Sequence, residues 1–131
     1  MSDYWHHPNE IIPTLRALHE KYPDRKLYVV FQPHQYSRTR ELLSDFSQAF
    51  QDVDTLVIPN IYFSRDKQED VEWMTVERLM EAIRPYQPHV IDGKGLENTA
   101  KLILKYDKKN PNSSIILLLG AGDVDELRKV I

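Results

Sequence analysis

Cysteine is absent from the 131 residues. Disulfides, thiolate metal ligation and a thiol nucleophile are thereby excluded, and a reducing compartment is permitted. No apolar run approaches the ~20 residues that cross a bilayer. The opening stretch, Met1 to Pro8, has no apolar segment of a signal peptide. The cytoplasm is the expected location, with no membrane partner. A basic footprint is missing too: the formal net charge is -3 and the basic residues are scattered, so no nucleic-acid partner is expected. No G-x-x-x-x-G-K-S/T run occurs, so the chain carries no phosphate loop of its own. No Ser, His and Asp pattern points to a hydrolase, and no catalytic residue is assigned. Internal repeats, low-complexity tracts and linkers are also lacking. What remains is ordinary globular composition, 41% hydrophobic and 28% charged. The length is enough for one domain with a core of its own.

Apolar spacing then divides the chain. Ile11, Ile12, Leu15 and Leu18 form a helical stripe over Pro8 to about Lys21, opened by Pro8 and stopped by Tyr22-Pro23-Asp24. Lys26 to Phe31 reads as a buried strand. Leu42, Leu43, Phe46 and Phe50 predict a helix over Arg38 to Phe50, with Ser37 or Thr39 as cap. Asp54 to Pro59 reads as a strand, and Asn60 to Phe63 as its extension or a separate short one. Ser64 to Glu72 reads as a charged, solvated loop. A helix from Thr75 through Ile83, a strand at His89 to Asp92 and a helix from Leu96 to Tyr106 follow. Ser114 to Leu119 is apolar on both faces, like a central parallel strand. Gly120-Ala121-Gly122-Asp123 then turns into a last short helix ending at Ile131. This alternation predicts an α/β fold of Rossmann-like, three-layer kind: a mostly parallel sheet with helices on both faces. The loops holding His34, Tyr62 and Gly120 should then line one crevice at the C-terminal strand ends.

Three segments are candidates for chemistry. In Gln32-Pro33-His34-Gln35-Tyr36-Ser37-Arg38-Thr39, a strand ends in a polar loop that opens a helix. Helix N-termini favour anions, Arg38 can clamp a carboxylate bidentately, and His34 can donate one hydrogen bond. A solvated surface loop is the competing reading. In Asp3-Tyr4-Trp5-His6-His7, Asp3 suits sugar hydroxyls, Tyr4 or Trp5 a base, and His6 or His7 a phosphate; an unstructured tail reads equally well. Adjacent histidines do not present both rings to one ion, as the i, i+4 pair of the zinc proteases does, so no metal site is assigned. Gly120-Ala121-Gly122-Asp123 permits a tight turn and close approach, but a packing turn accounts for it equally. His19 and His89 read as ordinary surface or core residues.

Two motifs together carry a resemblance. Asp3-Tyr4-Trp5-His6-His7-Pro8-Asn9-Glu10 resembles the D-Y-x-H-H-P-x-E motif of the Mur ligases, and Phe31 to Thr39 resembles their F-Q-P-H-R-Y-S/T-R-T motif. The order and spacing match, as does the strand closing on Gly120, so the resemblance spans nearly the whole chain. It implies residues 1–131 as the C-terminal, amino-acid-adding domain of a longer ligase, matching the abrupt functional-looking start. In such ligases ATP, with Mg²⁺, phosphorylates the carboxylate of UDP-N-acetylmuramate and the amine of L-alanine displaces the phosphate. By resemblance, Asp3, Tyr4, His6 and His7 face the nucleotide, and His34 and Arg38 hold the alanine carboxylate. These are positioning roles, and the domain alone is expected to be inactive.

Departures from the pattern are informative. Gln35 stands where the family usually has Arg, and Trp5 where it has a small residue. The loop after Tyr62 reads Phe63-Ser64-Arg65-Asp66 instead of a Gly-Glu-x-Pro type segment, so Arg65 is a candidate for the missing cation. A free-standing binding module of the same fold, without ligase activity, is the alternative expectation. A peptide-adding ligase is disfavoured, because that branch lacks the Gln-Pro-His-x-Tyr run.

Overall fold

The computed structural model describes the backbone of Ser2 and Asp3, residues 8–63, 65–109 and 114–120, and Val124 and Leu127. The chain runs β1 (Ser2–Asp3), α1 (Pro8–Lys21), β2 (Lys26–Gln32), α2 (Tyr36–Glu41), α3 (Leu43–Ser47), β3 (Thr55–Ile58), α4 (Gln68–Trp73), α5 (Val76–Ile83), β4 (Val90–Asp92), α6 (Leu96–Lys109) and β5 (Ser114–Gly120). All five strands are parallel, in the order β1-β5-β2-β3-β4.

Period-two alternation along β2 builds two cores. Leu27, Val29 and Phe31 face one, with α1 (Ile11, Leu15, Leu18), α3 (Phe46) and α5 (Leu79, Ile83). Tyr28 and Val30 face the other, with Ala100 and Ile103 of α6 and with Val124 and Leu127. A strand buried on both sides needs apolar residues at every position, and Leu27 to Phe31 supplies them. Aromatic contacts tie each layer down: Phe31 lies 4.9 Å from Phe50 and 5.2 Å from Phe46, and Tyr28 stacks on Tyr106 at 5.0 Å. The expected three-layer α/β architecture is thus the observed one.

Thr75 caps α5 by accepting from the Arg78 amide at 3.1 Å, as Thr at a helix start does. At the opposite end of that helix, Gln87 is 3% exposed and donates to the carbonyls of Phe50 (2.8 Å) and Val53 (2.7 Å).

Some sequence expectations are corrected. The helix expected over Arg38 to Phe50 is two, broken at Leu42 (φ -101°, ψ 15°). The N-cap position of α2 is Gln35, which makes no side-chain cap, so neither Ser37 nor Thr39 plays that part; the Thr39 hydroxyl instead donates back to the Gln35 carbonyl at 2.6 Å. The segment expected to be a solvated loop contains α4, none of whose residues is buried. It is held from outside: Asp70 pairs with Arg40 at 3.2 Å, and the Trp73 ring lies under the guanidiniums of Arg40 (4.4 Å) and Arg78 (4.7 Å). β1 is an added edge strand, with Ser2 paired to Leu118 and Asp3 to Leu119. Most of the last helix expected before Ile131 lies outside the described residues.

Candidate functional site

The strand order reverses between β2 and β5. From β2 the chain moves to β3 and β4 on one side, whereas β5 returns to the other side of β2. The C-terminal strand ends at such a reversal are the usual ligand position of open α/β sheets. Buried Gln32, the last residue of β2, ties this edge of the sheet together. Its amide donates to Asn60 Oδ1 at 2.9 Å, and its carbonyl oxygen accepts from the Val124 amide at 3.0 Å. One side chain thereby joins the loops after β2, β3 and β5. Gly120 pairs with Gln32 in register. A Cβ there would stand 2.8 Å from the Gln32 carbonyl oxygen, and its φ of +154° adds strain for any other residue. The glycine thus serves close backbone approach.

His34 lies beyond Gln32, in an isolated parallel bridge with Tyr62. The Gln35 amide donates to the Tyr62 carbonyl and the Tyr62 amide to the Pro33 carbonyl, each at 2.8 Å. The imidazole stacks on the Tyr62 ring, centroids 5.5 Å apart at 23°. Its Nδ1 is buried without a hydrogen-bond partner. Buried polar atoms are normally satisfied, so the ring sits where a water or ligand partner is called for. Arg38 follows on the first turn of α2 and is exposed. The strands leading to His34 and Gly120, and the Tyr62 bridge, thus meet at one edge of the sheet.

The helix start differs from expectation. The Ser37 amide, read as available to a bound anion, donates instead to Asp66 Oδ1 at 2.9 Å. Sequence reasoning missed Asp66, which carries no local signal beyond membership of an acidic run. Arg65 beside it is exposed, at φ +53°.

Of the nucleotide-facing candidates, Asp3 has its backbone described. It pairs with Leu119, which pairs with Phe31, so β1 leaves from the same edge as His34, two strands away. The side chain of Asp3, and all of Tyr4, His6 and His7, lie outside the described residues. Among the described residues no three His, Asp or Glu side chains are grouped to hold a metal ion. No helix among them is long and apolar enough to cross a membrane.

Comparison with known proteins bears on this arrangement. Residues 1–122 match the family model described as Mur ligase, glutamate ligase domain. A UDP-N-acetylmuramate–L-alanine ligase of Desulfatibacillum aliphaticivorans is 38% identical over 125 residues, covering 95% of this chain and 26% of that protein. The Lactobacillus acidophilus protein of the same name is 42% identical over 125 residues, 95% of this chain and 25% of that one. The chain thus spans about a quarter of the length of these relatives. Among solved structures, a UDP-N-acetylmuramate–alanine ligase of Thermotoga maritima superposes with a TM-score of 0.70 at 22% identity, over 97% of this chain and 24% of that one. A murein peptide ligase of Psychrobacter arcticus gives 0.70 at 15%, over 97% and 25%. These two likenesses concern the fold. Motifs, sheet topology and the match across residues 1–122 lead to one conclusion: the chain belongs to the Mur ligase family, to its glutamate ligase domain.

Proposed function

We propose that residues 1–131 are the amino-acid-adding, C-terminal domain of a cytoplasmic UDP-N-acetylmuramate–L-alanine ligase of peptidoglycan synthesis. The observation that carries the reading is the His34 loop. An imidazole with an unpartnered buried nitrogen, stacked on Tyr62, precedes an exposed guanidinium by four residues at the C-terminal edge of a parallel sheet. That pairing suits a small zwitterion whose carboxylate meets Arg38 while its amine points toward the reacting partner.

In this reading the chain's residues position the amino acid and transfer no proton. Arg38 neutralises and orients the carboxylate, and His34 adds a directional hydrogen bond. Holding the amine in line with an activated carboxyl group can itself supply several kcal/mol of the barrier. ATP with Mg²⁺ supplies the activation. Asp3, Tyr4, His6 and His7 are assigned to the nucleotide side. The described residues do not fit a Mg²⁺ site of their own: Asp66 accepts from the Ser37 amide and Asp70 pairs with Arg40. The metal, the phosphate loop and the UDP-N-acetylmuramate pocket are assigned to the rest of the ligase.

The test joins this chain to its natural upstream sequence and measures phosphate release with UDP-N-acetylmuramate, ATP and a panel of amino acids. Alanine-dependent release is expected, and its absence would sink the proposal. The isolated chain should bind L-alanine and ATP weakly or undetectably, each ligand having half a site; micromolar affinity by calorimetry would contradict that. In the same assay Arg65→Ala should weaken alanine, raising its KM about threefold, as loss of one exposed cation near a carboxylate implies. An unchanged KM removes Arg65 as substitute for the cation absent at Gln35.

A further inference from the structure

We propose that Asp66 is a positioning residue for the amino acid. Its carboxylate, reaching from the loop after β3, holds the start of α2 and thereby fixes where Arg38 stands. The inference rests on the function proposed above and deepens it.

The start of α2 is weakly specified by its own sequence. The helix has six residues, and Gln35 ahead of it offers no side-chain cap. Gln35 also stands at φ 70°, ψ 136°, a conformation residues other than glycine rarely adopt. Contacts from elsewhere must hold it. Tyr62 holds the entry through two backbone hydrogen bonds, and Asp66 holds the first turn through the Ser37 amide, 29 residues away in sequence. The segment after Asp66 is braced in turn, because Asp70 pairs with Arg40 and Trp73 lies under Arg40 and Arg78. Ser37 and Arg40 are three positions apart, hence on one face of α2. Arg38 lies roughly 100° round the helix from Ser37, off that face, and is exposed. The brace from residues 66–73 therefore grips one side of α2 and leaves the guanidinium on another.

Charge adds a second consequence. A carboxylate already sits on an N-terminal amide of α2, so the incoming carboxylate of the amino acid is repelled from the helix start and directed to Arg38. Position separates this effect from nucleotide binding. Tyr62 and Asp66 follow β3, on the side of β2 away from β5 and β1, and β1 is about 10 Å from β2 at two strand spacings.

The experiment uses the full-length ligase with Asp66→Ala and Asp66→Asn, each with its thermal midpoint recorded. In D66A the KM for L-alanine should rise about tenfold, the loss expected when a charge-assisted hydrogen bond goes, while the KM for ATP stays within about twofold. D66N keeps the acceptor oxygen and should restore the alanine KM to within about threefold of the unsubstituted enzyme. A KM for alanine unmoved in D66A overturns the proposal. So does a parallel rise for ATP, which would mark a merely structural role, or a D66N as impaired as D66A. An unsubstituted enzyme without alanine-dependent turnover sinks the proposed function and this role with it; a competent enzyme indifferent to D66A sinks this role alone.

Discussion

Arg38→Ala in the full-length ligase is expected to lower kcat/KM for L-alanine by about a hundredfold. Removing one partner of a desolvated, hydrogen-bonded charge pair costs about 2–5 kcal/mol, and a hundredfold corresponds to about 2.7 kcal/mol. The lower end of that range applies because Arg38 is exposed in this domain, and in the function proposed above it loses water only as substrate binds. The same exposure predicts little structural consequence: surface substitutions usually stay within about 0.5 kcal/mol, so the thermal midpoint should hold. Arg38→Lys should recover only part of the loss, because an ammonium cannot form the two parallel bonds of a guanidinium. Steady-state kinetics with alanine and ATP varied separately decide the matter. A wild-type kcat/KM for alanine in R38A would remove the amino-acid site from this helix and, with it, the assignment of His34.

The second large effect concerns stability. Gln87→Met is expected to destabilise the protein by about 3 kcal/mol and lower its thermal midpoint by roughly 10 °C. Methionine keeps most of the volume, so packing changes little and the loss isolates hydrogen bonding. Gln87 is 3% exposed and bonds at both ends. Its amide spans the carbonyls of Phe50 and Val53, and its oxygen accepts from the His89 amide at 3.1 Å. The turn after α3 is thereby tied to the turn before β4. Each buried group left unsatisfied costs about 1–3 kcal/mol; the Val53 carbonyl and the His89 amide lose these bonds, while the Phe50 carbonyl keeps the Val53 amide at 3.4 Å. Against a total stability of about 5–15 kcal/mol this is a large fraction. Parallel thermal melts of the two proteins provide the check, and a shift below about 2 °C would show that water takes over those bonds.

Where local rules suffice, the sequence is legible. The apolar stripe from Ile11 to Leu18 and the Tyr22-Pro23 stop mark α1, and the doubly apolar runs mark β2 and β5 as inner strands. The break at Leu42 was invisible because no glycine or proline announces it, and Leu42, Leu43, Phe46 and Phe50 continue the helical spacing across it. α4 was invisible because none of its residues is buried. Its anchors, Arg40 for Asp70 and the two guanidiniums for Trp73, include a partner 30 residues away. β1 has two polar residues and no strand pattern of its own; Leu118 and Leu119 make it a strand.

The candidate site divides the same way. That His34 and Arg38 lie between a buried strand and a helix follows from the order of residue types alone, since burial on both faces and helical spacing are local and periodic. Tertiary structure alone decided that Tyr62 stacks on His34, that Gln32 reaches the Val124 amide 92 residues on, and that Asp66 takes the helix amide meant for an anion. Those contacts join polar groups distant in sequence, and a polar residue's partner is chosen by what folding brings within about 3 Å, which no local period encodes.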